Sequence, residues 1–305
     1  MRLLKNILIF CFFLITPGML LAGDEPDILL LNSDLSVEKY RTAQESFKKS
    51  VSYTMSEITI QGYKGDISDL YRQISRKPYR LIYCIGTEAY LAAVKYAPEK
   101  KIVFSSIINW RRMPEGFQVY GVSNELHPLM QLTHFRHIFP DLKNIGVLYS
   151  REVNEQWIAL SKDAAKKAGV SIVSRAVQDI DQSREALKKL LPDIDAFWLI
   201  PDPMIISGKK NLLELIHTCD KNKIPVFSYN DLYAKYGATL VVSADDSTIG
   251  RQAAVIAEDL LAGREISKKV HLPAGSRITL NLENVKKFGL KTNDAALDSV
   301  NHILE

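Results

Sequence analysis

Short runs of consecutive apolar residues recur along the chain, separated by longer stretches of helical periodicity. Segments 27–31 (DILLL), 81–85 (LIYCI), 144–149 (NIGVLY) and 196–200 (AFWLI) show no polar alternation. Such runs predict strands buried on both faces of a parallel sheet. Between and around them, segments 36–50, 67–75, 89–96, 128–139, 154–168, 183–191, 209–221 and 249–261 predict helices. Further strands are expected at 57–60, 102–104, 119–122, 170–176, 225–227 and 238–242, crossing strands at 270–273 and 278–280, and short terminal helices at 283–288 and 295–303. Strand and helix alternate almost throughout, the pattern of an α/β fold.

The rhythm breaks once, at residues 109–125, where Pro114, Gly116 and Gly121 interrupt it. The expected architecture is therefore α/β with two doubly wound parallel-sheet lobes joined by a multi-crossing hinge. The lobes are expected over 23–122 plus 246–276, and over 123–245 plus 277–305.

The first residues set an address. Arg2 and Lys5 precede an apolar run at 7–15, and Ala22 offers a small residue at a cleavage point. Residues 1–22 are expected to be a signal peptide removed on export, which places the mature protein in the periplasm. The formal net charge is +4, and loss of Arg2 and Lys5 lowers it further. A balance so close to neutral gives no electrostatic case for a nucleic-acid partner. Cys84 and Cys219 fall in different expected lobes, so they read as small buried hydrophobes rather than a disulfide.

Familiar catalytic signatures are missing. The turn after the first strand, Asn32-Ser33-Asp34-Leu35-Ser36, has no glycine, which excludes a dinucleotide fingerprint. No P-loop or G-x-S-x-G elbow occurs. His127, His134 and His137 lack the companions of a zinc site, and Asp245-Asp246 reads as a helix cap, with Asp246 or Ser247 the capping residue. The expectation is a protein that is not an enzyme and carries no cofactor or metal.

Polar residues instead collect at predicted strand ends. Asn32, Ser33, Gly86, Thr87, Ser105 and Ser106 end strands of the first series, and Tyr149, Ser150, Asp202, Tyr229, Asn230 and Asp231 end strands of the second. In open α/β sheets the carboxyl edge is where ligands lie. The sharp turn at Gly86-Thr87 starts a helix whose free N–H groups favour an anion, with Thr87 as its expected cap. Asp202 is the one carboxylate placed to receive an ammonium group. Each residue alone also fits an ordinary turn or cap.

Several stretches carry a resemblance: Ile85-Gly-Thr87, Ile145-Gly-Val-Leu-Tyr149, Trp198-Leu-Ile-Pro-Asp202 and Ile224-Pro-Val-Phe227. The most specific runs from Gly237-Ala238 through Asp245, Ile249-Gly250 and Ala253-Ala254 to Leu260-Leu261-Ala-Gly263, followed by Leu280-Asn281 and Lys287-Phe-Gly289-Leu290. In order and spacing the chain resembles the ABC-transporter substrate-binding family related to tryptophan- and tyrosine-binding periplasmic proteins. The resemblance implies the type I periplasmic-binding fold, with three hinge crossings closing on a small ligand. It assigns carboxylate recognition to Thr87 and to Ser105 or Ser106, and amine recognition to Asp202. The chain departs from the family pattern at Ile107-Ile-Asn-Trp-Arg-Arg112 and at Gln118-Val-Tyr-Gly121, which implies a remodelled first-lobe side of the pocket.

These readings converge on a monomeric periplasmic solute-binding protein of an ABC importer. It would take a small organic solute, an amino acid or related carboxylate, and deliver it to an inner-membrane ABC permease. A ligand-sensing module for a membrane signalling partner is the alternative.

Overall fold

The computed structural model describes residues 25–305 apart from 64, 65 and 77. The predicted signal peptide lies outside the described residues. The first half of the chain forms β1 (Ile28–Asn32), α1 (Glu38–Ser50), β2 (Met55–Thr59), α2 (Ile67–Arg76), β3 (Leu81–Ile85), α3 (Thr87–Tyr96), β4 (Lys101–Ile107) and β5 (Val119–Ser123). Then come α4 (Pro128–Ile138), β6 (Asn144–Ser150), α5 (Arg151–Ala168), β7 (Ser171–Val177), α6 (Ile180–Leu190), β8 (Ala196–Leu199), α7 (Lys209–Lys221), β9 (Val226–Ser228) and β10 (Leu240–Ala244). The last part is α8 (Asp246–Leu261), β11 (Val270–His271), β12 (Ser276–Asn281), α9 (Leu282–Phe288), α10 (Asp294–Leu297) and β13 (His302–Leu304).

Two sheets result. One is six-stranded in the order β11-β5-β4-β3-β1-β2, and the other seven-stranded in the order β13-β12-β10-β9-β8-β6-β7. Every pairing in the first is parallel. In the second, only β10 with β12 is antiparallel. The chain passes between the sheets after β5, after β10 and after β11.

The unbroken apolar strands have a direct cause. In β1, Ile28 and Leu30 enter one apolar cluster with Phe47, Tyr83 and Ile249, while Leu29 and Leu31 enter another with Ile74, Cys84 and Phe104. Successive side chains point to opposite faces, so a sheet covered by helices on both sides requires apolar residues at every position. On one of these faces α1 and α8 pack together closely enough that a Cβ on Gly250 would lie 2.2 Å from the Ala43 carbonyl oxygen.

The structure departs from the sequence reading in places. The expected terminal helix over 295–303 is the short α10 followed by β13. Asn301 accepts the Ile278 amide through its side chain at 2.7 Å and donates its own amide to the Ile278 carbonyl at 2.9 Å. That clamp lays 302–304 along the free edge of β12, where pairing satisfies backbone groups a helix would have left exposed. The strand expected at 102–104 continues through Ser105 and Ser106 to Ile107, with a register shift against β5. Ser36 does not cap α1; that helix starts after Val37, and Ser36 donates its amide to the Asp34 carboxylate at 2.8 Å. A 3-10 helix, Asp231–Tyr236, follows β9 where no element was expected.

Candidate functional site

The first-lobe strand ends form an internally bonded layer. Gly86 sits at φ 84°, a conformation open to glycine at little cost. A Cβ there would lie 2.7 Å from Ser33 Oγ and 2.9 Å from the Tyr40 ring. Gly86, not Thr87, is the N-cap of α3, and the cap makes no side-chain hydrogen bond. Ser33 Oγ instead accepts the Ala89 amide at 3.0 Å from across the sheet. Asn32 is buried and donates to Gln44 at 2.7 Å, and Ser105 shares a 2.8 Å hydrogen bond with Tyr83. Ser106 differs: it is buried, holds φ 59°, and its hydroxyl has no partner among the described residues. A left-handed non-glycine at a strand edge costs energy and persists at ligand clamps.

In the second lobe, Asp202 is a correction to the sequence reading. It is fully buried. Its Oδ2 accepts the Ser150 amide at 2.7 Å, the Ser150 hydroxyl at 2.8 Å and the Asn154 amide group at 2.8 Å. Its Oδ1 accepts the Met204 and Ile205 amides at 3.0 and 3.3 Å. A buried carboxylate is tolerated when its lone pairs are filled in this way. Asp202 and Ser150 therefore tie the ends of β6 and β8 together, and the carboxylate has little left for an ammonium group. Tyr149 is buried with its hydroxyl 3.3 Å from the Glu155 carboxylate. Tyr229 packs edge-on against Tyr233, their hydroxyls 3.4 Å apart. Burial pushes the Tyr229 phenol far above its ordinary range.

A cavity of about 570 Å³ opens between the two sheets beside the crossings. The first side contributes the start of α1, including Lys39, and Asp246 at the start of α8. The second contributes Tyr229, Asn230, Asp231 and Arg277. Asp231 is held by the hydroxyls of Ser243 at 2.9 Å and Thr279 at 3.0 Å. Asp245 is the cap of α8, accepting the Thr248 amide at 2.8 Å. The cap is thus Asp245 rather than the expected Asp246 or Ser247, and Asp246 in the first turn lines the cavity. Burial is the main cause that raises the Asp246 carboxyl to about 7; Lys39 and Arg277 oppose the rise, while Asp231 and Asp245 add to it. Burial lowers the Lys39 ammonium, partly offset by Asp246. Carboxylates and cations from both sides thus face one cleft that is partly shielded from solvent, where fields are stronger than in open water.

Of the strand-end residues singled out in the sequence, Tyr229, Asn230 and Asp231 line this cavity. Asn32, Ser33, Gly86, Thr87, Ser105, Ser106, Tyr149, Ser150 and Asp202 do not border it. Lys39, Asp246 and Arg277 escaped the sequence reading as site residues. They sit in helix starts and in a crossing strand, where a charged residue looks like any solvated position. The adjacent pair Asp245-Asp246 was the one available signal, since only one of two neighbouring carboxylates can cap a helix.

The model for the ABC transporter substrate binding protein family matches residues 43–303, and the chain belongs to this family. An uncharacterised protein of Rickettsia prowazekii (strain Madrid E) is 26% identical over 212 residues, covering 68% of this chain and 67% of that protein. Among solved structures, a ligand-free, open substrate-binding protein with adhesive properties from Clostridium difficile superposes with a TM-score of 0.69 at 17% identity, over 91% of this chain and 99% of that one. An ABC domain from Streptococcus pneumonia, in complex with L-Trp, gives 0.62 at 17% identity, over 92% and 100%. A conserved domain protein from Vibrio cholerae gives 0.60 at 20% identity, over 90% and 98%. The two-sheet, three-crossing architecture is the type I periplasmic-binding fold shared with these proteins.

Proposed function

We propose that this protein is the solute receptor of an ABC importer, holding a small organic solute in the cavity between its sheets and closing over it by hinge motion. The observation that carries this reading is the placement of Lys39 and Asp246 opposite Asp231 and Arg277 around one cavity beside three chain crossings. A solute bearing both charges bridges the two sides, so binding favours the closed form by the contacts only that form completes. The mixed charge suits an amino acid or a related carboxylate. The complex of a fold relative with L-Trp supports that class without fixing the side chain. Tyr229 supplies an aromatic wall, and the free Ser106 hydroxyl at the strand edge supplies a further polar group for a closed state.

Export through the signal peptide at 1–22, action as a monomer in the periplasm and delivery to an inner-membrane permease complete the reading. Native mass spectrometry of the mature protein, followed by denaturation, tests it. A stoichiometric small acid or amino acid released on unfolding is the expected result. An empty protein whose melting temperature is unmoved by amino acids and small carboxylates would overturn the reading.

A further inference from the structure

A second cavity, of about 290 Å³, lies in the first lobe beneath the segment that breaks the strand–helix rhythm. It shares no residue with the cavity between the sheets. Its walls are Tyr90 from α3, Phe104 and Ile107 from β4, and Trp110 from the 3-10 turn that follows. The aromatic rings are already arranged for one another: Tyr90 meets Phe104 edge-on at 5.5 Å between centroids, and Phe104 lies 6.1 Å from Trp110. Rings in such a set offer both faces and edges to a further flat ring.

The placement of polar groups gives the cavity a direction. Trp110 Nε1 is buried and has no acceptor among the described residues, so the indole belongs to the wall and the cavity's accessible polar groups are at its rim. At the rim stand the cations of Arg111 and Lys269 against the single carboxylate of Glu115. Arg111 lies over the Trp110 ring at 4.8 Å and pairs with Glu125 at 2.9 Å. Lys269 donates to the Phe117 carbonyl at 3.0 Å and has no carboxylate partner among the described residues. A molecule of this volume class, mostly apolar with a few convergent polar groups, is what such a cavity accepts.

We propose that this cavity is a second ligand site, separate from the cleft, for a flat aromatic carboxylic acid. The ring lies among Tyr90, Phe104 and Trp110, and the carboxylate sits at the rim beside the Lys269 ammonium. The probe is 2-naphthoate, followed by saturation-transfer NMR and by the melting temperature of the mature protein. Binding to the wild type is expected, weakened about tenfold in Trp110→Ala, which removes one wall of the aromatic set. Lys269→Ala, at an exposed position, should weaken it as well, whereas Asp246→Asn in the cleft should leave it unchanged. Failure of 2-naphthoate to bind the wild type overturns the proposal. So does binding that either Trp110→Ala or Lys269→Ala leaves intact, or binding that Asp246→Asn abolishes.

Discussion

Ser33 Oγ accepts the amide of Ala89 at 3.0 Å, so the end of β1 caps the helix that leaves β3. The contact spans 56 positions of sequence. It occupies one of the amides that the helix start would otherwise turn toward a ligand. Ser33 thereby holds two neighbouring strand ends in register and sets the floor on which Tyr40 and Gly86 meet.

Replacing Ser33 by alanine leaves that amide uncapped in a buried position. A loss of about 1 kcal/mol in unfolding free energy is expected. Urea denaturation of wild type and variant measures it. Wild-type stability combined with weakened solute binding would instead make Ser33 a ligand contact.

Gly86→Ala combines two penalties. A Cβ must adopt φ 84° and enter the space of Ser33 Oγ and the Tyr40 ring. The expected cost is about 1–3 kcal/mol, seen as a lower denaturation midpoint at unchanged slope. Thr87→Ala, by comparison, removes no capping hydrogen bond and should be near neutral.

Asp202→Ala tests whether this carboxylate is a fastener or a ligand group. Five donors lose their acceptor in the variant. Stability should fall by roughly 3 kcal/mol or more. Full stability with abolished solute binding would restore Asp202 to the cleft.

Asp246 gives the protein a pH signature. Its folded-state carboxyl titrates at about 7, above the ordinary value of 3.8, so the folded state holds a proton that the unfolded state has released. The stabilising contribution is complete below the ordinary value and is lost as pH rises through about 7. Melting temperatures across this range should therefore decline less steeply for Asp246→Asn than for wild type. Parallel curves would show that the cavity is wet enough to leave Asp246 unperturbed.

Much of the fold was legible because burial on both faces leaves a direct mark. β3 and α7 run over the very segments that the apolar run and the helical period indicate. Strand β13 was not legible, since its pairing depends on Asn301 meeting Ile278 from far along the chain. The polar residues at strand ends were equally visible, but not their use. Asn32, Ser33, Ser105, Ser150 and Asp202 satisfy one another's neighbourhoods, while Lys39, Asp231, Asp246 and Arg277 face the cavity.

The sequence by itself determined the α/β class, the buried parallel strands and the family, because hydrophobic period and residue order are local properties. Which carboxylates act as fasteners and which line the cavity is set by tertiary contacts. A carboxylate's role depends on the donors within about 3 Å of it. For Asp202 those donors include the main chain and side chain of Ser150, and for Asp231 they come from Ser243 and Thr279. Such partners lie many residues away along the chain and adjoin only when the sheet closes around them.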